Sequence, residues 1–147
     1  MIYYPKKSLV CLLAILGISL ALACGGDDSP SPEALRQQEL TATWSVASVI
    51  NDGQDVSSQF TGFSLTITSE QTYSTVNGGN PWPAQGTFEL VANNLDEFIR
   101  DDGVRVVITS IDETTLSLTF QITDVGGRAF GSNGITGTFT FNLNKTS

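Results

Sequence analysis

The chain has no histidine, two cysteines and only seven lysines and arginines. Each shortage excludes some chemistry. Without histidine there is no Ser-His or Cys-His couple to activate a nucleophile. Zinc sites draw mainly on histidine and cysteine, so the usual zinc ligand sets cannot be assembled. Seven basic residues stand against fifteen acids, a formal charge of −8. Nucleic-acid binders neutralise phosphates with basic side chains, and this balance excludes such a partner. Charged residues make up only 15% of the 147 positions and apolar residues 40%. That length is enough for one ordinary domain and too little for two.

The only long apolar run is at the start. Lys6 and Lys7 precede Ser8 to Ala23 (SLVCLLAILGISLALA), which carries no charge. A basic start followed by a run of this length reads as a signal peptide, since a spanning helix needs about 20 apolar residues. The run ends at Ala21-Leu22-Ala23-Cys24-Gly25. This resembles a bacterial lipobox, in which small residues precede an acylated cysteine. The resemblance implies cleavage after residue 23 and lipidation of Cys24. Ala21-Leu22-Ala23 also fits an ordinary A-x-A cleavage site of a soluble secreted protein. Cys11 is lost with the leader, so Cys24 has no disulfide partner, and acylation accounts for the odd cysteine. Two or three acyl chains anchor stably where one does not. Removing residues 1–23 removes Lys6 and Lys7 and leaves a charge near −10. Gly25 to Pro32 (GGDDSPSP) then reads as a solvated tether. Acids this close to the cysteine resemble the export signal of surface lipoproteins in the Bacteroidetes lineage.

Ser31-Pro32-Glu33 has the chemistry of a helix start: a capping hydroxyl, proline in the first turn, and an acid beside the helix N-terminus. A short helical turn over Glu33 to Leu40 is expected, needing a surface to pack on. From Thr43 onward the period is two. Thr43–Ile50 places Trp44, Val46 and Ile50 on one face. Gly62–Thr68, Thr72–Val76, Gly86–Val91, Leu95–Arg100, Val104–Ile111, Thr115–Ile122 and Thr138–Asn144 complete eight strands. Turn signals such as Asn51-Asp52-Gly53 and Asp101-Asp102-Gly103 separate them. Short strands joined by short turns favour sequence neighbours as spatial neighbours, and closure removes exposed edges. The expected fold is therefore all-β: an eight-stranded antiparallel up-and-down barrel with a short N-terminal helical turn. Its inward positions are large (Trp44, Phe63, Leu65, Phe88, Phe120, Phe141), which points to a small or closed interior.

Leu40-Thr41-Ala42-Thr43-Trp44 resembles the L-x-G-x-W start of lipocalins, with Ala42 in place of the usual glycine. The similarity to lipocalin-like domains of small Bacteroidetes lipoproteins extends over TATWSVASVINDGQDVSSQFTGFSLTIT, YSTVNGGNPWPAQGTFEL, IRDDGVRVVITSIDETTLSLTFQI and GITGTFTFNLNK. It implies an eight-stranded lipocalin-like barrel over residues 40–147, after the leader (1–23) and the tether with its helical turn (24–39). It implies no established activity.

Candidate chemistry is sparse. The clustered acids Asp96, Glu97, Asp101, Asp102, Asp112 and Glu113 fall at turns, where Asp is favoured for local hydrogen bonding. Asn51-Asp52-Gly53-Gln54-Asp55 offers hard oxygens but lacks the spacing of an EF-hand, and a turn is the preferred reading. The chain is read as a non-enzyme without a metal or cofactor. Trp82, between Pro81 and Pro83, reads either as a contact residue or as a plug folded back into one end of the barrel. The glycine-rich segment Thr123–Gly137 reads as a lid, a partner-binding loop or a mobile connection. Two functions remain. The first is a lipid-anchored outer-membrane lipoprotein, on the cell surface if the acidic signal acts, whose barrel takes a small apolar or amphipathic ligand. Trp44, Phe63, Tyr73, Trp82, Phe88, Phe120 and Phe141 would line that space. The second is a filled, monomeric barrel serving as a structural or protein-interaction module of the envelope, with contacts through Trp82 and the glycine-rich loop.

Overall fold

The structure, a computed structural model, describes residues 29–123 and 136–146. The leader, the lipidation candidate Cys24 and most of the glycine-rich segment lie outside the described residues. Among the described residues, nine strands follow one α-helix: β1 (Ala42–Asn51), β2 (Gln54–Asp55), β3 (Ser64–Ile67), β4 (Thr72–Val76), β5 (Gln85–Val91), β6 (Asn94–Arg100), β7 (Arg105–Ile111), β8 (Thr115–Ile122) and β9 (Gly137–Lys145). From β3 onward each strand pairs antiparallel with the next, and β9 returns to β1 from Trp44↔Lys145 to Asn51↔Phe139. That last ladder closes eight strands into an up-and-down barrel. The two-residue β2 is a short hairpin arm on β1 outside the closed set. Asp52 (φ 47°) and Gly53 (φ 81°) form its turn, both in the left-handed region that such two-residue hairpins require.

Alternation places the core as the pattern predicts, with one correction. β1 carries a bulge between Val46 and Ser48. The extra residue shifts the parity, so Val49 is fully buried and Ile50 only partly covered, where the strict period expected Ile50 inside. The bulge comes where β1 exchanges partners: its first half pairs with β3 and its last residues with β2. A second difference is a 3-10 turn at Ser57–Phe60, which apolar periodicity does not reveal. Asp55 organises it, its carboxylate accepting the Ser57 N–H at 2.9 Å and the Ser57 hydroxyl at 2.6 Å. The turn sends Phe60 into the upper end of the barrel, the end away from the helix.

Helix α1 (Pro32–Leu40) starts as the sequence indicates. The Ser31 hydroxyl accepts the Ala34 N–H at 3.1 Å, with Pro32 in the first turn. Its stability comes from the lower end of the barrel, on which it lies. Leu40 is fully buried, the Gln37 amide donates to the Thr68 carbonyl at 2.7 Å, and Arg36 reaches Asp96 at 2.7 Å. The Trp44 indole N–H donates to the Leu40 carbonyl at 2.9 Å, tying the helix to the first strand.

Gly137 opens β9 at φ 126°, outside the range of L side chains. A Cβ there would lie 2.3 Å from Asp52 Oδ2 and 2.4 Å from Asn51 Oδ1. Both side chains are held, because Asp52 accepts the Thr138 N–H and Asn51 donates to the Thr136 carbonyl. Gly137→Ala should therefore lower the unfolding free energy by about 2 kcal/mol. Gly53→Asn, in the open left-handed turn, should change it by less than about 1 kcal/mol. Urea titration of both variants decides between this account and a tolerant β9 start.

Candidate functional site

The seven residues expected to line a ligand space all face one interior, each at most 3% exposed. Five of them meet directly. Phe141 lies 5.0 Å from Phe63, 5.7 Å from Phe120 and 6.1 Å from Trp82, ring centre to ring centre. Trp82 lies 5.2 Å from Phe120 and 5.7 Å from Tyr73, both edge to face, the favoured geometry for aromatic quadrupoles. Phe60 and Phe139 join them, with Phe60 5.0 Å from Phe141. Phe88 pairs separately with Phe98 at 5.0 Å. Trp44 is at the lower end under the Lys145 ammonium, 5.7 Å from its ring centre. A chamber for a drug-sized ligand needs roughly 300 Å³ and leaves its walls accessible to water. The apolar interior side chains of this barrel have between 0 and 9% of their surface accessible. Their own rings fill the described interior.

Trp82 resolves in favour of the plug. It is 2% exposed and folds back into the upper end, so it presents no contact surface. Gly78 permits the fold-back, since a Cβ there would stand 2.7 Å from the Trp82 Cβ. Over the indole lies Arg100, a residue that the sequence reading did not single out. Its guanidinium carbon is 4.8 Å from the Trp82 ring centre and 5.5 Å from that of Phe120. Nη1 donates to the Pro81 carbonyl at 2.8 Å, Nε donates to Asp102 at 3.0 Å, and Nη2 reaches the other Asp102 oxygen. The side chain is 1% exposed. A cation on the inward parity of β6, two residues after Phe98 and just before the Asp101-Asp102-Gly103 hairpin, is the signal that identifies it. The stacked, charge-paired arginine seals the upper end.

The carboxylates that clustered in sequence disperse into local roles. Asp112 accepts from the Thr115 and Thr114 hydroxyls and both their N–H groups; these bonds, that of the Thr115 hydroxyl foremost, hold it well below the usual carboxylate range. Asp96 meets Arg36, and Glu97 pairs with Arg105. Asp102 is pushed up by burial, but the Arg100 hydrogen bonds and charge, with the Val104 N–H, outweigh that and hold it below its ordinary value. Asp101 accepts the Tyr73 hydroxyl at 3.5 Å. Burial pushes the Tyr73 phenol up to about 12, against the opposing pull of Arg100 and with help from Asp102 and Asp101. In the Asn51–Asp55 segment, Asp52 and Asp55 serve the β9 start and the 3-10 turn.

Among the described residues, a groove lies on the outer wall. It has a volume of 440 Å³ and runs over β4 and β5, beside Thr68, Thr72, Ser74, Gln85, Thr87 and Asp101. No protein-family model, curated protein or solved structure matches the chain.

The upper-end assembly predicts a pH response. A carboxylate whose folded pKa is depressed adds stability above its unfolded pKa, near 4, and loses that stability as the pH falls through the folded value. Unfolding free energy should therefore drop as pH is lowered from about 5 toward 2. Asp102→Asn should flatten part of that limb while lowering stability at neutral pH. Arg100→Ala, which leaves Asp102 and the Pro81 carbonyl unpaired, should lower stability at neutral pH by about 3 kcal/mol and red-shift tryptophan emission. An acid limb identical in the Asp102 variant would refute the role given to this pair.

Proposed function

We propose that the chain is a lipid-anchored envelope lipoprotein whose filled barrel acts as a structural and interaction module, with its contacts on the outside. One observation carries the second half of this reading: the aromatic side chains of the interior pack against one another and leave their walls inaccessible to water. An eight-stranded barrel is just wide enough either to be filled by side chains or to hold one small ligand. Seven phenylalanine, tyrosine and tryptophan rings in one contiguous cluster favour the filled alternative over uptake of an apolar ligand. The anchor rests on sequence. Cys24 follows a charge-free apolar run and small residues, and no other cysteine remains after residue 23. The tether of Gly25 to Pro32 then enters α1 at the lower end. A membrane attached at Cys24 would thus face the helix-capped end and leave the barrel flank and upper end free for partners.

The anchor is tested by feeding cells labelled palmitate. The protein should incorporate the label, and Cys24→Ser should not; an unlabelled wild-type protein would sink the lipoprotein reading. The filled interior is tested by native mass spectrometry of the whole protein released from detergent. Its mass should equal the acylated polypeptide, with no retained apolar molecule. A stoichiometric non-covalent adduct, lost on Phe141→Ala, would restore the ligand-carrier reading.

A further inference from the structure

If the interior is filled, as proposed above, recognition falls to the outer wall, and there the groove over β4 and β5 offers a concave polar surface. Elsewhere on the wall several outward hydroxyls and amides satisfy one another across strands, although Ser110, Gln121 and Thr138 do not. Thr43 meets Thr66 at 3.2 Å, Thr119 meets Thr140 at 3.0 Å, and Ser117, Asn142 and Ser48 form a chain with links of 2.8 and 3.0 Å. In the groove, only Thr68 and Thr72 are paired in this way, at 2.8 Å. Among the described residues, the side chains of Ser74, Gln85 and Thr87 make no such bond. Three polar side chains on two paired strands are thus left with their donors and acceptors directed at solvent.

The ligand class follows from what the lining holds. There is no basic side chain, so a phosphate, sulfate or carboxylate would meet no counter-charge and would face Asp101. Asp101 is the one carboxylate, too few hard oxygens for a calcium site with its six to eight ligands. The Tyr73 ring is 3% exposed, so no apolar platform is offered. What remains is a set of hydroxyls, one amide and one acceptor-only carboxylate. Sugar hydroxyls, each both donor and acceptor, complement such a set. Gly86 preserves this arrangement at the groove floor, since a Cβ there would stand 2.5 Å from both Asp101 Oδ1 and the Tyr73 hydroxyl. At 440 Å³ the groove falls within the range of small-molecule sites, roughly 300–1,000 Å³. We propose that this groove binds a neutral, hydroxyl-rich ligand, a sugar unit of a carbohydrate chain. The inference rests on the filled-barrel reading and names the partner class of that module. The groove is open and lacks a stacking ring, so affinity is weak, in roughly the millimolar range for a single chain end. Many anchored copies against one polymer would add avidity.

The test is amide-resolved NMR of the whole protein in a sugar-free zwitterionic detergent. The probes are neutral oligosaccharides of glucose, mannose and galactose, with glucuronic acid and calcium chloride as controls. Saturable shifts are expected for one or more neutral sugars at Thr72–Ser74 and Gln85–Thr87, and not for either control. Thr87→Val, which preserves shape on an exposed strand position, and Gln85→Ala should each weaken binding by roughly three- to ten-fold with an unchanged unfolding midpoint. The proposal is overturned by silence of the groove amides up to roughly 100 mM of every neutral sugar, far above the millimolar expectation. Binding that neither variant weakens also overturns it, as does a response to calcium or glucuronate alone. The Leu118 and Phe141 amides separate the two readings. Their movement with an apolar additive speaks against the filled interior, whereas a silent groove beside silent interior amides speaks only against the sugar.

Discussion

The fold depends on filling the inside of a closed eight-stranded sheet. Closure satisfies every edge strand, but it creates an interior whose apolar walls must touch something other than water. Phe141 is the hub of the solution. From the middle of β9 its ring meets Phe60, Phe63, Trp82 and Phe120, which come from four other parts of the chain, and Phe139 on its own strand. β9 is also the closing strand, paired with β8 on one side and β1 on the other. The same nine residues therefore complete the hydrogen-bonded wall and seed the packed interior, which couples closure to core formation.

Each end is sealed by different physics. At the lower end a nine-residue helix, too short to persist alone, is held by Leu40 in the core and by hydrogen bonds from Gln37, Arg36 and Trp44. At the upper end the loop after β4 folds inward, and the buried Trp82 ring closes the barrel there. A bare indole at a barrel mouth would leave its face wet. Arg100 covers it, and the guanidinium is an apt choice: its flat face stacks on the ring while its edge donates to Asp102 and to the Pro81 carbonyl of the loop itself. One side chain therefore joins the hairpin after β6, the inward loop and the aromatic cluster.

Most of this architecture was legible as period-two alternation. Seven of the eight expected strands agree with the observed ones to within one residue at each end, and Gly62–Thr68 shortens to Ser64–Ile67. Alternation reads side-chain parity and nothing else, so it failed where parity was broken or irrelevant. The bulge after Val46 replaced Ile50 by Val49 in the core. The 3-10 turn at Ser57–Phe60 depends on an Asp55–Ser57 interaction that a hydrophobicity pattern does not contain. Trp82 had two readings from sequence because its direction is set by distant residues: Gly78 clears its path, and Phe120 and Phe141 receive it. Arg100 was missed because an arginine at a strand end ordinarily reads as solvent-exposed, and only the inward parity shared with Phe98 marks it. The outer groove was not legible at all, since it depends on how β4, β5 and the distant Asp101 come together in space.

The low charge content and the strong acidity of this chain then have one explanation. The outward strand positions of β8, β9, β1 and β3 are dominated by serine, threonine and asparagine, whose cross-strand hydrogen bonds stabilise the sheet without charge. Acids concentrate instead at strand ends and turns, where short carboxylates accept backbone N–H groups: Asp112 from Thr114 and Thr115, Asp102 from Val104, Asp55 from Ser57 and Asp52 from Thr138. Aspartate performs that work better than lysine or arginine, which have no acceptor, so a barrel made of many short strands and tight turns accumulates negative charge as a by-product of its turns. The acidity thus needs no cationic partner to account for it. A surface whose charge is engaged at turns leaves uncharged hydrogen-bonding groups as the main polar feature of the wall.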